Sequence, residues 1–246
     1  MKVLGVIPAR YGSTRLPAKA LALIANKPMI QHVYEQVIQC QNIDYLIVAT
    51  DNILIYETVK AFGGNAIMTS TKHTSGTERC AEVAEKIGDG FDFIINIQGD
   101  EPFIQPQQIQ ELISLFSSKI AIATLARKIT STKTLFDPNS PKLVFNEAHE
   151  ALYFSRQVIP FLRDIPRKNW LKEHGFYEHI GIYGFRTDTL KAIAKLPVSA
   201  LESAEKLEQL RWLAHGFKIK VGISKFSSFS IDTLRDLEKA NKYFNL

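Results

Sequence analysis

The chain has 246 residues, of which 46% are hydrophobic and 22% charged, so it is long enough to fold around a substantial core. Its net charge of +5 would suit nucleic acid, but the basic residues beyond position 34 are interleaved with acidic ones, and no RNP, zinc-finger or basic-helix pattern supports that partner. No apolar stretch reaches about 18 residues, so we expect no membrane span. The two cysteines, Cys40 and Cys80, form no CxxC pair and suggest neither a disulfide framework nor a zinc site, and we expect a cytoplasmic protein.

The first half of the chain alternates short apolar runs with amphipathic segments of helix length. This alternation is typical of a parallel sheet with helices on both faces. The predicted strands cover 3–7, 45–49, 66–68, 91–97 and 120–126, and the predicted helices cover 29–39, 53–62, 77–86 and 106–116.

The pattern changes after residue 127 and indicates a mixed or antiparallel extension. A final helix is predicted to run to about residue 243, with Asp232 as its N-cap. We expect a single α/β domain over 1–246, in which 127–200 form the extension. The predicted strands here are 143–146, 151–154, 180–185 and 218–223, with an irregular segment over 160–176 and a helix over 203–215.

The most informative segment is the loop that follows the first predicted strand, at positions 8–19. No acidic residue occurs before position 35, so this loop is a concentrated cation. An arginine side chain can donate two parallel hydrogen bonds to phosphate oxygens, and a lysine adds a mobile positive charge. Small residues let backbone N–H groups approach the phosphate closely. The loop therefore suits a polyphosphate, although a solvated basic loop would have the same composition. The candidate phosphate-binding residues are Arg10, Gly12, Ser13, Arg15 and Lys19.

Several familiar motifs are missing. The sequence has neither a Walker A loop nor a GxGxxG fingerprint, so its phosphate site must be of another design. HExxH and GxSxG are absent too, which removes support for a zinc protease helix or a nucleophilic serine.

A second candidate site is the segment Ile97–Pro102, directly after the apolar strand over 91–97. Open α/β sheets bind ligands at the carboxyl ends of their strands. A carboxylate there, Asp100, is well placed for Mg²⁺, which takes one or two carboxylates together with phosphate oxygens. A simple turn with an aspartate cap would explain Gly99 and Pro102 equally well.

The remaining candidates are weaker on their own. Ser75, Gly76 and Thr77 can offer hydrogen bonds at a helix start, which also fits an ordinary N-cap. On the strand over 178–186, His179, Gly181 and Tyr183 are predicted to share one face, but a lone histidine or tyrosine is usually structural. Arg156 places a cation directly after an apolar strand. Glu208 and Gln209 lie off the apolar stripe of their helix, so we expect them on a solvated face.

Taken together, these segments resemble the 3-deoxy-manno-octulosonate cytidylyltransferases, the CMP-Kdo synthetases of lipopolysaccharide assembly. The resemblance spans nearly the whole chain, and its ordered motifs are far more specific together than any one alone. The segments that carry it are IPARYGSTRLPAKAL, HTSGTER, NIQGDEP, ALYFSR, HIGIYGFR, LEQLR and SIDTLRDLE.

The resemblance implies a nucleotidyltransferase-type three-layer α/β sandwich with a mostly parallel central sheet. It also implies Mg²⁺, CTP and Kdo (3-deoxy-manno-octulosonate) as ligands, and a homodimer built through the extension. Ala18 and Ala20 stand where the family usually has glycine and proline, so we expect a less sharply bent loop.

The implied reaction is attack by the anomeric hydroxyl of Kdo on the α-phosphorus of CTP, which gives CMP-Kdo and pyrophosphate. By resemblance, the catalytic residues are Arg10, Arg15, Lys19, Asp100 and Asp232, with both aspartates as metal ligands. Ser75, Gly76, Arg79 and Gln98 join the loop residues on the nucleotide side. The residues implied to face the sugar acid are Arg156, which would counter its carboxylate, His179, Tyr183, Glu208 and Gln209.

Two alternatives stay open. One is a cytidylyltransferase for a related sugar acid, either an 8-amino Kdo analogue or sialic acid. The other is a non-enzymatic protein that binds nucleotide or RNA, which only the basic composition favours. Asp100 and Asp232 argue against this second alternative, because carboxylates repel a polyanion unless a metal ion intervenes.

Overall fold

The computed structural model describes residues 1–13, 16–87 and 90–244. Nearly all of the described strands belong to one sheet, and the two-residue strands β2 and β3 form a separate hairpin. The strands are β1 (Val3–Ala9), β2 (Leu23–Ile24), β3 (Lys27–Pro28), β4 (Tyr45–Thr50), β5 (Ala66–Met68), β6 (Phe93–Asn96), β7 (Ile122–Lys128), β8 (Lys142–Phe145), β9 (Ala151–Ser155), β10 (Tyr177–Arg186) and β11 (Ile219–Ile223).

The main sheet runs in the order β11-β7-β10-β6-β1-β4-β5. Strand β1 pairs in parallel with β4 and β6, and the pairs β4–β5 and β7–β11 are also parallel. Strand β10 enters between β6 and β7 in the opposite direction, and β8 and β9 extend the sheet from it as antiparallel strands. The predicted α/β class, with a mostly parallel sheet and an antiparallel extension, is confirmed.

Helices cover both faces of the sheet and turn apolar side chains toward it. On one face, Val33, Ile55 and Ile109 join the core below β1 and β6. On the other, Val83 and Leu210 pack against the opposite side of the same strands. The helices are α1 (Met29–Val37), α2 (Ile53–Ala61), α3 (Gly76–Ile87), α4 (Pro106–Ile113), α5 (Thr132–Phe136), α6 (Trp170–Glu173), α7 (Thr187–Ile193), α8 (Ala200–Glu205), α9 (Gln209–Ala214) and α10 (Leu234–Phe244).

The helix predicted over 203–215 is wrong, because two short helices, α8 and α9, occupy this region. Ser199 caps α8, accepting a hydrogen bond from the backbone N–H of Glu202. Lys206 then adopts a left-handed conformation with φ of 54°, which ends the helix. Leu207 turns into the core before α9 begins.

The irregular segment predicted over 160–176 contains a 3-10 helix, Arg167–Asn169, that leads into the short α-helix α6. Trp170, which begins it, is 2% exposed and donates a hydrogen bond from Nε1 to the carbonyl of Ile165. It packs in a small cluster with Leu135 and Phe176. A single buried tryptophan therefore organises a stretch in which no hydrophobic period is visible.

The expected loosening of the first loop is also wrong, because Ala18 takes a left-handed conformation with φ of 52°. A glycine would adopt this conformation at no steric cost, whereas alanine pays for it. The backbone N–H of Ala18 bonds to the carbonyl of Tyr11, and its own carbonyl accepts from the N–H of Leu21. At Ala18 the backbone therefore bends as a glycine would allow, even though alanine stands there.

The C-terminal segment returns to the edge of the sheet where the first loop lies. Ile231 is fully buried beside Ile24 and Met29, and its N–H bonds to the carbonyl of Asp100. Thr233, not Asp232, caps α10. The hydroxyl of Thr233 accepts a hydrogen bond from the N–H of Asp236, and the carboxylate of Asp236 accepts hydrogen bonds from the N–H and the hydroxyl of Thr233. The prediction of an Asp232 cap is wrong, and its side chain points elsewhere.

Within the described ranges, no helix is both long enough and apolar enough to cross a bilayer.

Candidate functional site

A cleft of about 250 Å³ opens at the carboxyl ends of β1 and β6. The last residues of β1 and the turn after β6 form its floor, and the loop before α3 forms one wall. Gly99 permits this arrangement, because a Cβ there would lie 2.8 Å from the carbonyl oxygen of Pro8. The predicted site residues that line the cleft are Arg10, Ser13, Lys19, Ser75, Gly76, Arg79, Gln98, Asp100 and Asp232.

Lys19 joins the two predicted metal ligands. Its ammonium nitrogen lies 2.5 Å from Oδ2 of Asp100 and 2.9 Å from Oδ1 of Asp232. Burial disfavours the charged ammonium, but the two carboxylates outweigh that effect and raise the pKa of Lys19 above its ordinary value. The interpretation of this loop as merely solvated does not hold for Lys19, whose side chain is 15% exposed.

The positions of the two carboxylates show whether a divalent cation could bind between them. Asp100 and Asp232 point their oxygens at one positive charge, and carboxylate oxygens are the hard donors that Mg²⁺ requires. Over residues 1–13, 16–87 and 90–244, no three histidine, cysteine or acidic side chains gather as a metal cluster. The donor set therefore suits an ion that takes two protein carboxylates and completes its shell with phosphate oxygens or water.

The loop before α3 is held by Glu208 at the start of α9. The carboxylate of Glu208 accepts hydrogen bonds of 2.8 Å from Ser75 Oγ and 2.7 Å from Thr77 Oγ1. Ser75 also caps α3 by accepting from the N–H of Glu78, so the N-cap interpretation is confirmed. Burial raises the pKa of Glu208, although the two hydroxyl donors oppose the shift.

The solvated face expected for Glu208 and Gln209 is wrong. Gln209 is 5% exposed, and Glu208 is enclosed between the base of α9 and the loop before α3. The apolar stripe of the helix does not decide their burial, because a loop from a distant part of the chain covers the polar side.

The other nucleotide-side candidates differ in how free they are to meet a ligand. Arg10 and Gly12 are exposed, and Gln98 donates to Asn96 Oδ1 at 3.3 Å. Arg79 is 2% exposed and its guanidinium is bonded within the protein. Arg15 lies outside the described residues.

A second cleft, of about 460 Å³, lies beside the first. Glu101 and His179 line it, and Ser228 donates a hydrogen bond of 2.9 Å to Oε2 of Glu101. Burial and the nearby charge of Asp100 raise the pKa of Glu101 to about 7. Burial lowers the pKa of His179 to about 3, so its imidazole is neutral at pH 7.

A β-bulge in β10 arranges the predicted sugar-facing residues. His179 and Tyr183 lie on one side with ring centroids 5.1 Å apart, as predicted. Between them the register with β7 shifts, and Gly181 adjoins Glu101 and Gln98. The bulge therefore places the backbone of β10 in the wall of the second cleft, next to Gln98 of the first.

Tyr183 and Arg156 are less accessible than the resemblance implies. Tyr183 is 7% exposed, its ring packs edge-on to Trp212, and burial raises the pKa of its hydroxyl well above the ordinary value. Arg156 lines neither cleft, and its guanidinium donates to the carbonyls of Pro138, Glu205 and Lys206.

Sequence reasoning missed two acidic residues at this end of the sheet. Glu101 stands in the same segment as Asp100, and no sequence pattern gives it a role. Asp51 directly follows β4, and its carboxylate bonds to both Arg79 and the backbone of Tyr11. The rule that singled out Asp100, a carboxylate at the carboxyl end of a strand, applies equally to Asp51.

The chain that forms this cleft is similar to known proteins of one family. A family described as "Cytidylyltransferase" matches residues 4–219. A "3-deoxy-manno-octulosonate cytidylyltransferase" of Parabacteroides distasonis is 54% identical, over 98% of this chain and 97% of its own length. An "8-amino-3,8-dideoxy-manno-octulosonate cytidylyltransferase" of Shewanella frigidimarina is 45% identical over 97% of both chains.

The solved structures agree with these relatives. A CMP:2-keto-3-deoxy-manno-octonic acid synthetase complexed with CTP superimposes with a TM-score of 0.92 at 40% identity, over 100% of this chain and 99% of that one. A 4-diphosphocytidyl-2C-methyl-D-erythritol synthase from Anaerococcus prevotii, at 15% identity and a TM-score of 0.65, shares the fold.

Proposed function

The chain belongs to the 3-deoxy-manno-octulosonate cytidylyltransferase family, and we propose that it transfers the cytidylyl group of CTP to Kdo, giving CMP-Kdo and pyrophosphate. The anomeric hydroxyl of Kdo attacks the α-phosphorus and pyrophosphate leaves, so no protein nucleophile is required. The observation that carries this proposal is the cleft in which a lysine from the first loop meets two carboxylates from distant segments. The relative whose structure contains CTP supports CTP as the donor.

The basic loop supplies the charge that such a transfer needs. Nucleotidyl transfer is accelerated mainly by positioning and by stabilising charge on the phosphates. Arg10 and Lys19 line the cleft and would hold the triphosphate, with Arg15 of the same loop as a further predicted contact. Lys19 is charged at neutral pH, because its carboxylate partners raise its pKa.

We also propose Mg²⁺ as the cofactor, held by Asp100 and Asp232. When bound, the ion would offset the charge that develops on the reacting phosphate and the leaving pyrophosphate. The protein's part is to bring together two carboxylates that would otherwise repel each other. In the structure the ammonium of Lys19 lies between them, so the two carboxylates converge on one positive charge.

The sugar acid would bind where the two clefts adjoin, along β10. His179 is neutral at pH 7 and can exchange hydrogen bonds with sugar hydroxyls without a charge of its own. Gln98 and Glu101 border the same backbone at Gly181. Tyr183, Gln209, Glu208 and Arg156 stay sugar-side residues only by resemblance. Arg156, which lines neither cleft, would have to leave the carbonyls of Pro138, Glu205 and Lys206 to meet the sugar carboxylate.

The name of one relative favours an 8-amino Kdo analogue as a second acceptor. The relative from Shewanella frigidimarina is named for an 8-amino-3,8-dideoxy sugar acid and is 45% identical to this chain. The relative from Bacteroides thetaiotaomicron, named for Kdo itself, is 52% identical over 99% of this chain. We therefore place Kdo first and the 8-amino analogue second.

An acceptor panel tests the proposal. Purified protein is mixed with CTP and Mg²⁺, and released pyrophosphate is measured with Kdo, the 8-amino analogue, sialic acid or no acceptor. We expect release with Kdo at a kcat/KM well above that with the other acids, and none without acceptor. Release with the 8-amino analogue alone would reassign the acceptor, and no release with any acid would support a non-enzymatic nucleotide-binding protein.

We further propose a cytoplasmic homodimer, in which residues 127–200 contribute the subunit contact. The antiparallel strand β9 lies at an edge of the sheet, and Leu152 on it is 59% exposed. Phe161, just beyond, is 70% exposed. Analytical ultracentrifugation of the intact chain tests this part, with a species of twice the chain mass as the expected result.

A further inference from the structure

Asp51 connects the two loops that border the first cleft. It follows β4 directly, and each of its carboxylate oxygens has a different partner. Oδ2 accepts a hydrogen bond of 2.8 Å from the guanidinium of Arg79, and Oδ1 accepts one of 3.2 Å from the backbone N–H of Tyr11. One carboxylate therefore bonds both to α3 and to the loop over 8–19.

The Arg79 end of this connection is fixed. The residue is 2% exposed, and its guanidinium also donates to Thr69 Oγ1 at 2.5 Å and to the carbonyl of Ser70 at 3.3 Å. Movement of a buried charge away from its hydrogen-bond partners costs free energy. Arg79 thus holds Asp51 in place from inside the protein.

The Tyr11 end leads into the basic loop. The carbonyl of Tyr11 accepts from the N–H of Ser13 at 2.9 Å and from the N–H of Ala18 at 3.2 Å. Ala18 immediately precedes Lys19, whose ammonium reaches the centre of the cleft. The position of the Tyr11 peptide therefore affects both ends of the loop that would hold the triphosphate.

We propose that Asp51 is a positioning residue for triphosphate binding, acting through Tyr11 on the basic loop. This inference rests on the proposed function, since it assumes that the loop holds the phosphates of CTP. Asp51 itself is an anion and would repel a triphosphate at long range. Its effect through the loop and its direct Coulomb effect therefore have opposite signs, so an experiment can separate them.

The test compares binding of CTP and CMP by calorimetry, with Mg²⁺ and without a sugar acid. In Asp51→Ala we expect CTP to bind at least about tenfold more weakly and CMP to change by less than about threefold, because CMP lacks the outer phosphates. Asp51→Asn keeps an oxygen for the N–H of Tyr11 but loses its charge toward Arg79, so we expect a smaller loss of CTP affinity.

Asp44 provides the matched control. It precedes β4, and its carboxylate accepts a hydrogen bond of 2.7 Å from the backbone N–H of Val3 at the far end of the sheet. Asp44→Ala removes the same charge and the same kind of bond, and we expect CTP affinity within about twofold of the unmodified protein.

Tighter or unchanged CTP binding in both folded Asp51 variants would overturn the proposal, as would an equal loss of CTP and CMP affinity. Because Asp51→Asn is nearly isosteric, it keeps the test available if Asp51→Ala fails to fold. Pyrophosphate release by the unmodified protein tests the proposed function separately, so a failure of either can be recognised.

Discussion

Lys19 and Asp232 are 213 positions apart in the sequence, and their side chains meet in a hydrogen bond of 2.9 Å. The contact exists because the segment around Ile231 packs under the first loop and bonds to the backbone of Asp100. The site is therefore assembled from the beginning, the middle and the end of the chain. Replacing any of its three charged groups should change the chemistry far more than the fold.

Lys19→Met is expected to lower kcat/KM for CTP by about 100-fold or more, the scale of losing one preorganised electrostatic contact. Steady-state pyrophosphate release measures the effect. The control is Lys27→Met, because Lys27 pairs with Glu35 at 2.5 Å in an exposed position away from the cleft. A Lys19 variant that folds and turns over within about threefold of the control would contradict the role of this lysine.

Asp100→Asn and Asp232→Asn are each expected to lose at least about 100-fold in kcat, and the double variant is expected to lose little more. The reason is that either change dismantles the same cation site, so the two losses are not independent. Kinetics with titrated Mg²⁺ and melting curves on all three variants provide the test. Multiplicative losses in the double variant would mean that the aspartates act separately.

The sequence predicts the architecture well, because the spacing of hydrophobic residues follows directly from which face of each helix or strand is buried. Apolar runs such as 45–49 give buried strands, and Asp100 could be singled out because it follows a strand at the ligand-binding end of the sheet. Long-range contacts have no such signal. The break at Lys206 occurs without a glycine, and the burial of Glu208 depends on Ser75, which lies 133 positions away.

The same distinction applies within the site. The composition of the first loop indicates a phosphate site, but its hydrogen bond to Asp51 depends on how β1 and β4 pair. Asp232 entered the predicted site only through family resemblance, because no local pattern connects it to Lys19. Resemblance also indicates Arg156, which lines neither cleft and donates to backbone carbonyls.

Ala18→Gly is expected to stabilise the protein by about 0.5 kcal/mol or more. A left-handed conformation costs alanine about 1–2 kcal/mol, and the extra entropy of glycine in the unfolded chain offsets only about 0.4–1 kcal/mol of this. Urea unfolding measures the difference. Ala20→Gly is the control, because Ala20 is 5% exposed in a short 3-10 helix and its loss should cost about 1 kcal/mol. A less stable Ala18→Gly variant would show that the loop is not strained at this residue.

The low pKa of His179 predicts a loss of stability in acid. Above its ordinary pKa of 6.5 the imidazole is neutral in both states and the stability is fully present. As the pH falls toward the pKa of about 3 in the folded protein, His179 binds a proton in the unfolded chain but not in the folded one, so stability is lost.

Between pH 7 and pH 5, the free energy of unfolding of the unmodified protein should therefore fall by about 2 kcal/mol more than that of His179→Gln. Urea titrations at the two pH values give this difference, and the other titrating groups cancel in the comparison. Parallel losses in both proteins would indicate that His179 accepts a proton in the folded state.

Transfer of a cytidylyl group from CTP to Kdo changes every phosphorus environment of the nucleotide, and ³¹P NMR of the reaction mixture detects this change. With the unmodified protein, CTP, Mg²⁺ and Kdo, we expect the three CTP resonances to be replaced by pyrophosphate and one sugar-linked phosphodiester in equal amounts. The Asp100→Asn variant should leave the CTP resonances unchanged. Inorganic phosphate and CDP as products, or an unchanged CTP spectrum with the unmodified protein, would contradict the assignment.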